Sequence, residues 1–589
     1  MANKNSSEPK NKSRLRPRWR SRLVKIVKLL ADSPLPEVAF IGSFVLARWW
    51  QNSDFSYVSE IWIPLALFAV LSAIVFYIFR LILGKGLATH LAALFVSYCL
   101  YGYGFVKDSS LGKNILKLWP DKWQTEFSSS MFLILVLATT AGLIGWVIKK
   151  YILNLKPVRN LQPYKVVLFA IAFLFVLQLV KTGQRVWAIH KVTAYNYPTS
   201  SITKPSSQPE QKPDIYYLLF DRYGNQDALK NNFNFNNSDI YSYLSSQGFT
   251  NRPDAYANYP FTMSSVSSTM AMSYFPEFQK MFGEDGDWQN ASAYRSILNN
   301  PPIAQILKQN GYDYNQLSSW WDFTRVGIKA DSNPTISFRL NAFGYQSYLT
   351  DLQRDVIDKS VLSPWLKKGV RLGGNNVLKY DLTRNPQQNF EAQMTAFKNL
   401  ASRADKSTPQ FSFAHVLVPH DPYVFDADGN TPAYDGARTD NGVDETVKYT
   451  NAVTYLNKRI KDTVGYIRSH SPDAVIIIQA DEGPYPKEFR YKLEPGHYYD
   501  PANLGLDKMK QKFSVFASYY LPGVDPSSKP INSSVDTFRF VLDHYLGYNL
   551  SMLPDCHFST GDKYTIYKYQ DQTAKLGNQT DAVACEQYL

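Results

Sequence analysis

The sequence predicts an α-helical membrane domain with five transmembrane helices, followed by an exported α/β domain with a mostly parallel central sheet. Three observations carry this prediction. Long apolar stretches are confined to the first third of the 589-residue chain, and basic clusters separate them. After them, short apolar runs alternate with amphipathic segments, which is typical of parallel strands connected by helices.

The apolar stretches lie between residues 36 and 182, and most have the roughly 17 to 25 residues that a helix needs to cross a bilayer. The first is the shortest, and Glu37 and Arg48 lie close to its ends. The five predicted spans are 36–51, 61–84, 88–106, 131–148 and 165–181.

Basic residues predict the orientation of these spans. Residues 1–28 contain ten Lys and Arg and one acidic residue, and such clusters stay in the cytoplasm. Five crossings return the basic loops 80–86 and 149–165 to the same side and place the chain after about residue 183 outside the cytoplasmic membrane. The N-terminal cluster accounts for most of the net charge of +13. The basic composition therefore reflects the membrane topology of the chain. It does not indicate nucleic-acid binding, and we expect no nucleic-acid partner.

The exported part begins after a Pro/Ser-rich linker, "YPTSSITKPSSQPEQKP". Cys556 and Cys585 both fall in it, and the sequence leaves open whether they form a disulfide. The predicted domains are a basic cytoplasmic N-terminus (1–35), the membrane domain (36–183), the linker (184–212) and the α/β domain (213–589). Predicted strands cover 214–220, 410–418, 474–480 and 512–522, and predicted helices cover 301–312, 388–403 and 447–469.

Carboxylates and imidazoles follow or occupy three of these strands. "DIYYLLF" runs into Asp221, "AVIIIQA" runs into Asp481 and Glu482, and "FSFAHVLV" contains His415 and leads to His420. In parallel sheets the ligand site lies beyond the carboxyl ends of the strands. Clustered carboxylates repel one another unless a cation lies between them, so the sequence predicts a divalent metal site at this edge.

A nucleophile is expected in "ANYPFTMSSVSSTMAM", which is rich in hydroxyl groups. Thr262 follows a Tyr-Pro-Phe turn and is the first candidate, with Ser264 as the alternative. An Asp after the first strand, a Thr about forty residues later, a histidine pair and a late Asp resemble the alkaline phosphatase/sulfatase superfamily. The nearer resemblance is to its membrane branch, the lipoteichoic acid synthases and phosphoethanolamine transferases, which similarly have five membrane helices and an exported catalytic domain.

The resemblance implies a role for each motif. Asp221 would be a metal ligand, and Thr262 would be both nucleophile and metal ligand. The His-x4-His spacing of His415 and His420 is similar to that of the family's substrate-binding or second-metal histidines. Asp481 matches the Asp of the family's Asp-His-Gly motif.

Glu482 departs from that motif, because it occupies the histidine's position. One interpretation is a harder, oxygen-rich site with Glu482 as a ligand, favouring Mn²⁺ or Mg²⁺, with Ca²⁺ and Zn²⁺ as alternatives. The other is a site that has lost its metal. His497, in "EPGHYYD", is a candidate replacement ligand.

The expected function is that of a membrane-anchored, metal-dependent phosphotransferase. It would move a phospholipid-derived head group, through a phospho-threonine, to a glycan, lipid or polymer at the cell surface. One alternative is a membrane-tethered phosphodiesterase or sulfatase-like hydrolase, although no Cys-x-Pro-x-Arg or Ser-x-Pro-x-Arg motif surrounds Thr262. Another is a non-catalytic binding protein with the same fold.

Overall fold

The computed structural model divides the chain into two compact units. The first takes the described residues of Met1–Asn52, Ser56–Arg185 and Leu340–Tyr380, and the second takes those of Ser53–Phe55, Val186–Arg339 and Asp381–Leu589. The structure describes residues 32–53, 56–155, 163–193, 202–206, 209, 211–283, 291–325, 327, 329–335, 339–342, 345–381, 385–434, 444–486, 504–560 and 565–589.

The helices are numbered in chain order. They are α1 (Leu35–Gln51), α2 (Trp62–Leu83), α3 (Leu87–Tyr101), α4 (Tyr103–Asp108), α5 (Ser110–Leu116), α6 (Glu126–Val147), α7 (Pro163–Thr193), α8 (Gln226–Phe233), α9 (Ser238–Ser246), α10 (Thr262–Ala271), α11 (Pro276–Phe282), α12 (Ser292–Asn299), α13 (Pro302–Gln309), α14 (Asp322–Arg325), α15 (Asp351–Asp358), α16 (Leu362–Lys368), α17 (Pro386–Ala401), α18 (Glu445–His470), α19 (Leu506–Phe513), α20 (Thr537–Leu546), α21 (Thr573–Leu576) and α22 (Gln579–Cys585).

The strands are numbered in the same way. They are β1 (Ile215–Phe220), β2 (Thr250–Asn251), β3 (Asp313–Leu317), β4 (Arg339–Ala342), β5 (Tyr345–Tyr348), β6 (Val370–Leu372), β7 (Asn375–Asp381), β8 (Gln410–Val416), β9 (Val475–Ala480), β10 (Ala517–Tyr520), β11 (Phe558–Ser559) and β12 (Gln570–Asp571).

The helical unit contains three helices that are long and apolar enough to cross a membrane among the described residues. They are Val58–Leu83, Glu126–Ile152 and Pro163–Lys191. These match three of the five predicted spans. The other two predicted spans form helices of 17 and 15 residues, α1 and α3, which are short for a bilayer of about 30 Å at 1.5 Å per residue. The count of five spans therefore stays a prediction.

Residues 340–380 were expected in the α/β domain, but they group with the helical unit. Their contacts fall on one end of the helices: Asp355 Oδ2 lies 2.6 Å from Arg48 Nε at the end of α1. Further along, Lys359 O accepts from Gly104 N at 2.8 Å. Trp365 Nε1 donates to the hydroxyl of Ser130, in the first turns of α6, at 3.1 Å. Nothing in the local sequence of this segment signals these long-range contacts.

The second unit is built on a six-stranded sheet with the order β2-β10-β9-β1-β8-β3. β9, β1, β8 and β3 are parallel, whereas β10 pairs antiparallel with β9 and with β2. The α/β fold class with a mostly parallel sheet is confirmed. The predicted strand 512–522 is shorter in the structure, since Lys512 belongs to α19 and only Ala517–Tyr520 pairs in the sheet.

Helices cover both faces of this sheet, as a parallel sheet of apolar strands requires. β1 and β9 are buried along their whole length. On one face the ring of Tyr216 lies 6.3 Å from Phe397 of α17. On the other face the ring of Tyr217 lies 5.2 Å from Phe538 of α20. Each strand end is thereby fixed by a core on both sides. Cys556 and Cys585, left open by the sequence, form a disulfide in the structure.

Gly483, three residues after the end of β9, is tightly packed against the end of α19. Its N–H donates to Lys512 O at 2.9 Å. A Cβ added at Gly483 would lie 2.3 Å from Gln511 O and 2.7 Å from Lys512 O. These are backbone atoms that no side-chain rotation can move away.

We expect Gly483→Ala to lower the free energy of unfolding by about 1–3 kcal/mol or more, because the added methyl group overpacks a rigid site. Gly505→Ala is the matched control, since nothing lies within 4 Å of a Cβ at that position. Chemical denaturation of the purified protein measures both. Equal stability of the two variants would contradict the close packing described here.

Candidate active site

The end of the central sheet brings together two carboxylates and one imidazole. Asp221 follows β1 and Asp481 follows β9, and His415 lies within β8, which flanks β1 on the side opposite β9. The register pairs Leu219 of β1 with His415 of β8 and with Gln479 of β9, so these three residues are level with one another. Asp221 and Asp481 are each two residues further along, so they share the face of His415. One ligand atom from each of the three residues lies within 4.8 Å of the others.

These three side chains are buried, and each has one polar atom without a hydrogen-bond partner. Asp221, His415 and Asp481 are 3%, 0% and 1% exposed. The unpartnered atoms are Asp221 Oδ1, His415 Nε2 and Asp481 Oδ2. His415 Nε2 lies 3.8 Å from Asp221 Oδ2 and 3.7 Å from Asp481 Oδ2. Buried polar atoms normally have partners, so a group of buried ligands with such atoms indicates a site built for a cation.

The electrostatics of the pair of carboxylates support this interpretation. Burial and the charge of Asp481 raise the pKa of Asp221 well above its usual range. Burial also raises the pKa of Asp481. Polar interactions with His415 and Thr262 outweigh this effect, so the pKa of Asp481 is lowered. Both carboxylates can be ionised together only if a positive charge lies between them. Two carboxylates and an imidazole are a donor set that suits Mn²⁺ and Zn²⁺.

His415 is held in place by a hydrogen-bonded chain from the segment "SSWWDFTR". Its Nδ1 hydrogen-bonds the hydroxyl of Thr324 at 2.9 Å, and that hydroxyl contacts Ser319 Oγ at 2.8 Å. The ring of Trp321 lies edge-on to the imidazole at 5.5 Å. A partner on one ring nitrogen fixes the orientation in which the other nitrogen faces a metal. Sequence reasoning missed Thr324, since nothing local marks it as the partner of His415.

Thr262 begins helix α10, whose first turn packs on the end of β9. Ser265, one turn along, donates to Asp481 O at 2.6 Å, and Thr262 interacts with the Asp481 side chain. Ser264, the alternative nucleophile, is 2% exposed and donates to Phe261 O at 3.1 Å. Thr262 is only half-buried. Of the two candidates, it is therefore Thr262 whose side chain the structure shows interacting with this carboxylate.

Glu482 was expected to ligate the metal, but the structure gives both of its oxygens to cations. Arg222 Nε lies 2.8 Å from Glu482 Oε1, and Lys512 Nζ lies 2.7 Å from Glu482 Oε2. Lys512 reaches this position because Gly483 packs against the end of α19. The imidazole beside the two aspartates is supplied by His415 of β8. His497, the candidate replacement ligand, lies outside the described residues.

Arg222 has an unusual backbone conformation that orients this cluster. Its φ of 64° is in the left-handed region, which costs a non-glycine residue about 1–2 kcal/mol. Arg222 N donates to Asp481 Oδ1 at 3.3 Å, and Tyr449 OH donates to Arg222 O at 2.7 Å. The guanidinium also lies 2.9 Å from Asp421 Oδ1. Sequence reasoning missed both Arg222 and Lys512, since nothing local marks either residue as part of the site.

His420 lies apart from the group of three ligand atoms. Its Nδ1 donates to the backbone oxygen of Asp421, and its ring lies 6.4 Å from Trp320. Burial and the charge of Arg222 lower the pKa of His420 well below its usual range, so this imidazole is neutral at pH 7. Cis peptide bonds precede Pro419 and Pro422 on either side of it.

A family model described as sulfatase matches residues 213–548, which is more than half of the chain. The chain belongs to the sulfatase family. The match begins just before β1 and ends just after α20, so it includes every site residue named above. No curated protein matches this sulfatase-family chain significantly by sequence.

Solved structures with similar folds share little sequence with this sulfatase-family chain. The crystal structure of Ps i-CgsB is 16% identical with a TM-score of 0.37, covering 59% of this chain and 80% of its own. The C-terminal periplasmic domain of EcEptC from Escherichia coli, solved with Zn, is 14% identical with a TM-score of 0.35, covering 64% and 98%. Lipooligosaccharide phosphoethanolamine transferase A from Neisseria meningitidis, an integral membrane protein, is 14% identical with a TM-score of 0.36, covering 87% and 96%. Because the sequence identities and TM-scores are this low, these three structures give no evidence about the function of this chain.

The geometry predicts which substitutions weaken metal binding. We expect His415→Ala and Asp481→Ala each to reduce the affinity for Mn²⁺ at least about ten-fold, the lower end of what loss of a supporting partner causes in metal sites. Glu482→Gln should lose less Mn²⁺ affinity than Asp481→Ala, because it removes a charge that faces Arg222 and Lys512 but no ligand. Calorimetric titration of the full-length protein in detergent measures these affinities.

The matched control for the histidine is His470→Ala, an exposed histidine at the end of α18. If Glu482→Gln loses as much affinity for Mn²⁺ as Asp481→Ala, Glu482 is a metal ligand after all.

Proposed function

We propose that this chain is a membrane-anchored, metal-dependent phosphotransferase of the sulfatase family. It would take a phosphorylated head group from a membrane phospholipid and pass it to a hydroxyl on a glycan, lipid or polymer at the cell surface. The observation that carries the proposal is the convergence of three buried ligand residues, Asp221, His415 and Asp481, next to Thr262 at the start of a helix. The apolar helices of the other unit support a site of action at a lipid surface.

Asp221, His415 and Asp481 would hold one divalent cation, with the Thr262 hydroxyl beside it. Such a cation supplies a positive charge that lowers the pKa of the Thr262 hydroxyl and neutralises the two carboxylates. The residues fit the group because one ligand atom from each lies within 4.8 Å of the others, and each side chain has a buried polar atom without a hydrogen-bond partner. Mn²⁺ is the favoured ion, with Mg²⁺, Zn²⁺ and Ca²⁺ as alternatives.

Thr262 Oγ would attack the phosphorus of the lipid phosphodiester. A bond from phosphorus to Oγ forms while the bond to the diacylglycerol oxygen breaks, and the proton leaving Thr262 ends on that oxygen. In the second step the acceptor hydroxyl attacks the phosphorus, the bond from phosphorus to Thr262 Oγ breaks, and the proton of that hydroxyl ends on Oγ. The N-terminus of α10 favours this chemistry, since backbone N–H groups there are oriented to bind phosphoryl oxygens.

His420 would bind the phosphoryl group or the acceptor as a neutral imidazole. Its position beside Trp320 and Arg222 supports this role. His415 was expected to share it, but we now place His415 with the metal, because its Nε2 faces the two aspartates and its Nδ1 is held by Thr324.

The exported location is supported by the segment 340–380. The chain enters and leaves this segment from the α/β unit, and it packs on helix ends near Arg48, Glu60 and Ser130. These are the ends that the distribution of basic residues predicts to lie outside the cytoplasm. The α/β unit would then be extracytoplasmic, and the basic N-terminus cytoplasmic.

A hydrolase that uses water as the acceptor is the alternative function. The hydrolase and the transferase differ in what consumes the phospho-threonine. Water is sufficient for a hydrolase, whereas a transferase turns over only when a polymer or glycan acceptor is added. A non-catalytic protein of the same fold would form no covalent intermediate.

We expect Thr262→Ala to abolish the covalent intermediate, while Ser264→Ala forms it at a rate within a few-fold of the wild type. Intact-mass spectrometry after incubation with Mn²⁺ and phospholipid vesicles measures the adduct, and its mass identifies the donated group. Both variants should remain folded, because removing one hydroxyl at a helix start costs at most about 1–2 kcal/mol. An adduct in Thr262→Ala that is missing in Ser264→Ala would identify Ser264 as the nucleophile.

A topology measurement tests the location. Alkaline phosphatase fused after residue 200 should be active, because that position would be exported, whereas a fusion after residue 156 should be inactive. An active fusion at 156 or an inactive one at 200 would contradict the proposed orientation.

A further inference from the structure

The cations beside the proposed nucleophile are neutralised by carboxylates of the protein itself. Arg222 contacts Glu482 at 2.8 Å and Asp421 at 2.9 Å. Lys512, whose side chain is fully buried, contacts Glu482 at 2.7 Å. Glu482 is itself 2% exposed. These four groups, which we name the ionic cluster, therefore carry no net charge.

The ionic cluster lies directly beside the start of α10. Lys512 Nζ is 5.3 Å from the centre of the Phe261 ring, and Phe261 immediately precedes Thr262. Tyr485 connects the two cations, because its ring lies 4.1 Å from the Arg222 guanidinium and 3.8 Å from Lys512 Nζ. A phosphoryl or sulfuryl group at Thr262 would therefore lie close enough for the charge of the ionic cluster to affect its binding.

The charge of the whole centre follows from these contacts. Asp221 and Asp481 contribute two negative charges, which one divalent cation would offset. The ionic cluster adds nothing, so the loaded centre is neutral overall. A neutral centre accepts a singly charged ester at less electrostatic cost than a doubly charged one.

We propose that Glu482 sets the specificity of this centre, by neutralising Arg222 and Lys512 so that singly charged esters are selected over doubly charged phosphate monoesters. Phosphodiesters and sulfate monoesters share the single charge, whereas a phosphate monoester carries nearly two charges at pH 7. This inference rests on the proposed function for the identity of the nucleophile and the metal. The proposal gives a role to Glu482, which stands where the resemblance predicts the histidine of an Asp-His-Gly motif.

Three probes of similar shape test the proposal: methyl phenyl phosphate and phenyl sulfate, which are singly charged, and phenyl phosphate, which is doubly charged. Binding is measured by calorimetry at pH 7 with the Mn²⁺-loaded, full-length protein in detergent. All variants are made in the Thr262→Ala background, so that the result does not depend on turnover. The two singly charged probes show whether phosphorus or sulfur is preferred.

We expect Glu482→Gln to shift the ratio of affinities towards phenyl phosphate about ten-fold or more, since it adds one positive charge at an effective dielectric of about 20. Glu482→Asp is the control that keeps the charge, and its ratio should stay near that of the unmodified residue. Lys512→Gln removes a positive charge and should shift the ratio in the opposite direction. If Glu482→Gln does not fold, Lys512→Gln alone decides the outcome.

An unchanged ratio in Glu482→Gln, or an equal shift in Glu482→Asp, would overturn the role of Glu482. Because these are binding ratios, they are separate from the proposed transfer reaction. Failure to detect a phospho-threonine would overturn the transfer reaction but leave the charge selectivity standing.

Discussion

Repulsion between two buried carboxylates is the constraint around which the end of the central sheet is organised. Asp221 and Asp481 follow neighbouring parallel strands, and the register fixes their distance. Neither can move away, since β1 and β9 are buried on both faces. Such an arrangement is costly in a folded protein unless a cation satisfies it. His415, with an unpartnered nitrogen facing both carboxylates, completes a set of ligands for such a cation.

The elements around this pair each hold one part of the site. β8 presents His415, and the segment that follows β3 orients its ring through Thr324. Helix α10 begins at Thr262 and is fixed to the end of β9 through Ser265. The end of α19 delivers Lys512 to Glu482. Four separate stretches of chain thus meet at the sheet edge where Asp221 and Asp481 follow their strands.

The replacement of histidine by glutamate at position 482 has a physical explanation in these contacts. A glutamate oxygen facing the metal would add a third carboxylate to a buried pair that already repels. Instead, Glu482 lies between Arg222 and Lys512 and, together with Asp421, offsets the charges of these two buried cations. A nearby strand supplies the imidazole. The contacts of Glu482 therefore leave Asp221, His415 and Asp481 as the candidate ligands of a cation.

The sequence by itself determined the class of the fold, the family and the position of Asp221 and Asp481 at one edge of the sheet. Apolar strands that end in Asp221 and Asp481 predict a parallel sheet and its functional edge, because side-chain burial and strand polarity are local properties. Three of the predicted spans are likewise long enough to cross a membrane, since length and apolarity can be read directly. Only the tertiary structure decided that Glu482 faces Arg222 and Lys512, that His415 faces the aspartates, that Cys556 and Cys585 are bonded, and that residues 340–380 belong with the helices. Each of these depends on which distant segments pack together, and the local pattern of residue types does not encode that choice.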